Sequence, residues 1–336
     1  SRAKVPPIEG LSSTSYLTNE EIFKVDAMHS LSVIGGGPIG AELAEAFTHL
    51  GVKVNMIETN DRIMKREDRE ASLLVQDHLH QLGVGIYTYQ DVISVSEDAK
   101  QQKHITIRDR NTGETNTLSS DALLVAVGRE PNVEGLGLDT IGVNYDRRGI
   151  CIDKRSRTNK KHIFAVGDVA RTWQFTHYAN HMGKVALMNL LFRIPATLEQ
   201  QVIPRVTYTT PEVASVGIQE NEIQKQHTYL ILRKSYEEID RAITDNNHEG
   251  FMKLIVDKRG YIKGATLVGC GAGERIGEVS LGMKQGIPVT KLADTIHPYP
   301  TYGYGLRTLA DQFRAQGYTP GKRRPIKRDF ALRGDV

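Results

Sequence analysis

Gly35, Gly37 and Gly40 are spaced as G-x-G-x-x-G, and Glu58 follows eighteen residues after the last of them. Glycines in this spacing can hold a dinucleotide, each for its own mechanical reason. Gly35 permits a tight turn, Gly37 lets the backbone come up against a pyrophosphate, and Gly40 lets a helix pack closely on a strand. Pro38 and Ile39 complete the first turn of that helix, whose exposed N–H groups and positive dipole end attract phosphate oxygens. A carboxylate at Glu58 can accept hydrogen bonds from both ribose hydroxyls and repels a 2′-phosphate, so NADH is expected in preference to NADPH.

The elements needed to present these residues stand in register. Residues 31–34 read as a buried parallel strand, 41–50 as an amphipathic helix, and 52–57 as a second strand ending at Glu58. Beyond it, 69–82 reads as a helix and 84–89, 92–96 and 104–109 as strands. Asn111-Thr112-Gly113 marks a hairpin, and 122–127 a closing parallel strand. The pattern predicts a doubly wound unit. A second stretch could also carry chemistry: Ile163-Phe164-Ala165-Val166 reads as a short strand delivering Gly167-Asp168 into a loop, before a helix over 177–191. That places Asp168 at the carboxyl edge of a sheet, where α/β proteins bind ligands. From about Pro204 the pattern turns antiparallel, with strands at 206–208, 214–217, 229–234, 250–256 and 262–268. Helices follow at 274–285, 291–295 and 304–316, which indicates an α+β domain.

A chain of 336 residues has room for two or three domains, and 39% apolar with 25% charged residues suits a soluble globular protein. No apolar run reaches a membrane span and no secretory leader is read, so neither a membrane nor export is expected, and the location expected is cytoplasmic. The net charge of +3 is concentrated after Tyr318, where six Lys or Arg face two Asp; this reads as a solvated tail rather than a nucleic-acid surface. Cys151 and Cys270 offer neither a disulfide framework nor metal-ligand spacing, and both read as inert small residues; no metal is expected.

The order of these landmarks resembles the class I pyridine nucleotide–disulfide oxidoreductases, the family of dihydrolipoamide dehydrogenase, glutathione reductase and mercuric reductase. The resemblance runs from Ser1 to about Gln316 and adds Tyr16-Leu17-Thr18-Asn19, Gly128-Arg129-x-Pro131-Asn132, Thr158, Thr209-x-Pro211-Glu212-x-Ala214-x-x-Gly217 and His297-x-Tyr299-Pro300-Thr301. It implies a Rossmann-like NAD-binding domain, a remnant of an FAD-binding domain, and a C-terminal α+β dimerisation domain. The corresponding divisions are a lead-in over 1–26, NAD binding over 27–131, flavin binding over 132–200, dimerisation over 201–318 and a basic tail over 319–336.

The resemblance also implies roles. Gly35, Gly37, Gly40 and Glu58 hold NAD, with Glu42 and Gly128 beside it. Asp168 takes a hydrogen bond from the ribityl chain of FAD, and the helix start at Gln174, Phe175, Thr176 and His177 sits by the isoalloxazine ring. The partners implied are a second copy of the chain, NADH and a small-molecule electron acceptor.

Two departures shape the expectation. The flavin's own glycine motif and a Cys-x4-Cys pair are missing, so the chain is expected to be a fragment of a larger enzyme. Thiol-reducing relatives place a His–Glu acid/base pair where this chain has Tyr299 and Tyr304; His297 precedes the matching position by two and reads as structural. A phenol with a pKa of about 10 is a poor base at neutral pH, which weakens lipoamide or glutathione as substrate. Tyrosine at this place is reminiscent of mercuric reductases, although the vicinal Cys pair that usually ends those chains is not found at Gly334-Asp335-Val336. A non-catalytic NAD-binding and dimerisation module and a soluble transhydrogenase are the alternative readings.

Overall fold

In a computed structural model, which describes residues 1–223 and 228–316, the apolar run before the glycine motif becomes strand β1 (Ser30–Ile34), buried over its last four residues. It is followed by α1 (Pro38–His49), β2 (Lys53–Ile57), α2 (Arg69–Gln81), β3 (Gly85–Tyr87), β4 (Gln90–Glu97), β5 (Lys103–Asp109), β6 (Thr115–Ser120) and β7 (Ala122–Val125). The basic tail expected over 319–336 lies outside the described residues.

Strands β3, β2, β1 and β7 form a parallel sheet in that order. Helix α1 begins at Pro38, ahead of the apolar periodicity, because proline at the first helical position needs no N–H and is already set in φ. Helix α2 starts where Asp68 caps it, its side chain accepting from Glu70 N at 2.9 Å. Both crossovers run in one direction along the sheet, so right-handed connections put both helices on the same face. Leu31, Val33, Val54 and Met56 are buried on that side.

The other face corrects the doubly wound expectation. Ile34, Ile57, Leu123 and Val125 pack against Val95, Ile105, Ile107 and Leu118 of a three-stranded antiparallel meander, β4-β5-β6. The hairpin at Asn111-Thr112-Gly113 joins β5 to β6. A sheet buried on both faces needs a second apolar layer, and an antiparallel meander supplies it as well as helices do.

The strand expected at 163–166 is reduced to one antiparallel bridge between Arg157 and Phe164. Its backbone groups are satisfied by the preceding turn: Thr158 N donates to Ile163 O at 2.9 Å and Ala165 N to Ser156 O at 3.1 Å. Gly167–Val169 then forms a 3-10 turn and α3 (Thr176–Leu190) a long helix. Tyr178 and Met182 of that helix join Leu138, Ile150 and Ala165 in a core of their own.

The chain separates into two compact units at Ile203 and Pro204. The second is an α+β unit around a five-stranded antiparallel sheet. Its strands are β8 (Arg205–Thr207), β9 (Val213–Gly217), β10 (Tyr229–Ser235), β11 (Phe251–Asp257) and β12 (Ile262–Val268), in the order β8-β9-β12-β11-β10. Helices α4 (Ala272–Lys284), α5 (Val289–Asp294) and α6 (Tyr304–Gln316) supply apolar cover; Val279, Leu306 and Leu309 are fully buried, as are Phe251, Leu254 and Leu267 of the sheet. Within the described residues, no helix is long and apolar enough to cross a membrane.

Candidate cofactor site

The three glycines after β1 are glycines for different reasons. Gly35 has φ +110°, and a Cβ there would lie 2.6 Å from Ala126 O. A Cβ on Gly40 would lie 2.0 Å from Gly35 O, where helix and strand meet. Both are required by the fold. Gly37 is not: its φ of −75° and ψ of −178° suit any residue, and a Cβ would meet nothing within 4 Å. Neither strain nor packing within the chain demands glycine there, and the bare backbone leaves the turn open to a close approach from outside. Helix α1 starts at this point with no side-chain cap, and Pro38 at its first position has no N–H. The amides of Ile39 and Gly40 therefore make up its open first turn.

Glu58, half-buried at the end of β2, is held from two sides. Its Oε2 accepts from Gly36 N at 2.8 Å. Its Oε1 accepts from Asn60 N at 2.8 Å and from Asn60 Nδ2 at 2.6 Å. The next loop closes on the same turn, Met64 N donating to Gly36 O at 2.7 Å. In that loop Asp61 gathers Arg62 (3.2 Å), Arg69 (3.1 Å) and Lys65. The Lys65 ammonium, then Arg69 and Arg62, hold the Asp61 carboxyl down at about 2. Glu42 is half-buried in α1, and Gly128, at φ +115°, lies in an open position where a Cβ meets nothing. Asn60 was not read from the sequence; its signal is an Asn two residues past the acid, a spacing at which Asx side chains fold back onto their own turn.

Asp168 sits in the 3-10 turn before α3. The Ser1 hydroxyl donates to its Oδ2, and Arg129 Nε lies 3.8 Å from the same oxygen. Arg129 also bonds Ser1 Oγ at 2.8 Å and Asn19 Oδ1 at 3.1 Å. Phe175 stands at the N-cap of α3 without a side-chain cap, ahead of Thr176 and His177. Trp173, Phe175 and His177 stack in succession across the start of α3, with centroids 6.0 Å and 5.3 Å apart and planes within 13°. Gln174 is half-buried between the first two. A cavity of about 250 Å³ opens beside Trp173, lined also by Ile152, Arg171, Tyr178 and Leu198.

In the second unit, Tyr299 and Tyr304 meet edge-on, with centroids 5.5 Å apart and planes at 74°. Tyr299 OH donates to Asp240 Oδ2 at 2.7 Å, and that bond to a carboxylate raises the phenol above its ordinary pKa of 10.0. Arg307 Nη1 donates to Tyr304 OH at 2.6 Å. His297 points elsewhere: its Nε2 lies 2.9 Å from Glu278 Oε1 and its Nδ1 3.1 Å from Thr295 O. Both ring nitrogens thus face acceptors within the unit. Among the described residues, no group of three or more His, Cys, Asp or Glu could hold a metal ion.

The parallel sheet with its glycine turn, joined in sequence to an antiparallel sheet covered by helices, defines a Rossmann-like α/β protein with an added α+β unit. The family described as pyridine nucleotide-disulphide oxidoreductase matches residues 1–183, and its dimerisation domain matches residues 203–310. The chain belongs to this family, the one its motif order implied. It is 34% identical over 297 residues to a dihydrolipoyl dehydrogenase of Geobacillus stearothermophilus, covering 87% of this chain and 61% of that protein. A dihydrolipoyl dehydrogenase of Bacillus subtilis is 31% identical, over 92% of this chain and 66% of its own length. The chain therefore spans less than two thirds of these relatives. Among solved structures, the HOCl-induced flavoprotein disulfide reductase RclA from Escherichia coli superimposes with a TM-score of 0.83 at 27% identity, covering 92% of this chain and 71% of that one.

Proposed function

We propose that the chain is the nicotinamide-binding and dimerising part of an oxidoreductase that uses NADH and FAD and hands electrons to a small-molecule acceptor. The observation that carries this reading is Gly37: an unstrained glycine with open space at its Cβ, at the mouth of an uncapped helix, where a pyrophosphate needs bare backbone. In this reading residues 27–131 bind NADH, 132–200 contribute to the flavin pocket and 201–318 dimerise.

The two cofactors, when bound, supply hydride transfer from nicotinamide to isoalloxazine. The chain's own residues bind and orient. Ile39 and Gly40 amides take the diphosphate, Glu58 takes the adenosine ribose, and Glu42 and Gly128 border the nicotinamide. Asp168, whose partners Ser1 and Arg129 are both donors, suits a ribityl hydroxyl in their place. The positive end of α3, which begins at Thr176, favours negative charge on a reduced ring, with Gln174, Phe175 and His177 beside it. Tyr299, kept protonated by Asp240, serves as a proton donor to the acceptor rather than as a base. His297, tied to Glu278, holds its segment in place.

Calorimetric titration with NADH, together with a visible spectrum after incubation with FAD and desalting, tests the reading. A saturable NADH isotherm and retained flavin absorbance are expected. Folded protein that gives no isotherm sinks the proposal, and NADH binding without flavin would leave a nucleotide-binding module.

A further inference from the structure

We infer that Asn60 is the positioning residue for Glu58, and that the choice of NADH over other dinucleotides at this site depends on its side-chain amide; the inference rests on the NADH-binding reading above. A glutamate's terminal torsion is soft, so a carboxylate fixed at one oxygen still swings. Gly36 N fixes Oε2 at 2.8 Å, and Asn60 closes the other side with two donors on Oε1, at 2.8 Å from its backbone and 2.6 Å from Nδ2. The clamp is itself anchored: Tyr89 N donates to Asn60 O at 2.9 Å just past β3, and Arg110 reaches Thr59 O at 3.3 Å from the β5–β6 turn.

Three donors on a carboxylate with about four acceptor positions leave one position on Oε2 for the ribose, room for one hydroxyl rather than the two expected from the sequence. All three are neutral, so they aim the carboxylate without cancelling the charge that repels a 2′-phosphate. The cations of the neighbouring loop are taken by Asp61 instead, which accepts from Arg62, Lys65 and Arg69. The Asn60 side chain thus tightens, at Oε1, a hold that the backbone N–H groups of Gly36 and Asn60 begin, and steadies the acid towards the ribose 2′-position.

The test compares NADH with the analogue lacking the adenosine 2′-hydroxyl, and with NADPH, on wild-type chain and on Asn60→Ala. Wild type should prefer NADH over the deoxy analogue. Asn60→Ala should cut that preference about three- to fivefold, the size of one partly exposed bond to a charged group, and narrow the gap to NADPH. Asn60→Ser, which keeps a donor, should restore part of it, and carries the test if the alanine variant does not fold. A merely structural role would weaken NADH and the analogue equally and leave the ratio unchanged. An unchanged ratio overturns the inference while NADH binding stands, and so does a larger one, which would mean the amide competes with the ribose. Loss of all NADH binding to wild type would instead refute the parent reading.

Discussion

Glu58 accepts a hydrogen bond from the backbone N–H of Gly36 at 2.8 Å, so the acid ending β2 and the turn leaving β1 move as one piece. Whatever the turn binds is therefore held at a set distance from the carboxylate. Glu58→Ala removes both the ribose acceptor and the brace on the turn. NADH affinity should fall about tenfold or more, and discrimination against NADPH should relax. Unchanged affinity for both nucleotides would remove the ribose role.

Gly37 and Gly40 separate binding from folding. Gly37→Val adds a side chain where nothing in the protein stands, at an unstrained φ. Its cost to stability should stay near 1 kcal/mol, the price of a poorer N-cap, while NADH binding is lost. Gly40→Ala drives a methyl into Gly35 O, and should cost about 2–3 kcal/mol whether or not nucleotide is present. Thermal melts beside nucleotide titrations check the contrast; equal losses of stability would undo it.

That division was legible in the sequence, while the layers around it were legible only in part. The β1–α1–β2 unit and helix α6 were readable because each carries its own periodicity, although α1 starts at Pro38, three residues before the periodic run. The strands at Val95, Ile105 and Ile107 were readable too, but not the face they cover, since two residues in contact across layers leave no local trace. Ile163 to Val166 looked like a strand because it is apolar; its hydrogen bonds run back to Ser156 and Thr158, which no hydropathy pattern encodes. The glycine motif already assigned Gly37 to a pyrophosphate and Gly40 to helix packing; the structure adds the open space at the one and the 2.0 Å approach to Gly35 O at the other. His297 and Glu278 stand nineteen residues apart, and their pairing depends on how the chain returns to α4.

Asp61 should give the loop beside the glycine turn an acid-sensitive hold. Its carboxyl is lowered from 3.8 to about 2, first by Lys65 and then by Arg69 and Arg62. A depressed carboxyl contributes stability that is fully present above pH 3.8 and is lost as pH falls through about 2. With solvent screening the contribution is about 1 kcal/mol. Urea unfolding of wild type and Asp61→Asn should differ by that amount near pH 7 and converge on acidification towards pH 2. A gap that stays constant down to that pH would show that the three cations contribute nothing through this charge.

Tyr299 should remain protonated at pH values where an ordinary tyrosine begins to ionise. Its hydroxyl donates to Asp240, and ionisation would set two negative charges against each other at 2.7 Å. Difference titration of tyrosinate absorbance between wild type and Tyr299→Phe isolates this phenol. Asp240→Asn should move its midpoint down towards 10, the ordinary value. A midpoint that does not move would separate Tyr299 from Asp240 in solution and leave the proton-donor role without its support.

Ile296 is 95% exposed and Leu281 58% exposed. They belong to one neighbourhood. The His297–Glu278 bond brings the segment after Thr295 against α4, and Leu281 follows Glu278 by one turn on the same helix. Burying side chains of this size contributes about 1.5–3 kcal/mol each, and a second copy of the chain is the cover that the matched dimerisation domain calls for. Wild type should elute as a dimer on gel filtration. The double substitution of Glu for Ile296 and Leu281 places two like charges at the centre of that contact and should give a folded monomer, with circular dichroism unchanged. A double variant that still elutes with the wild-type dimer would place the interface elsewhere on the unit, because two buried, unpaired carboxylates per copy cost more than any rim contact restores.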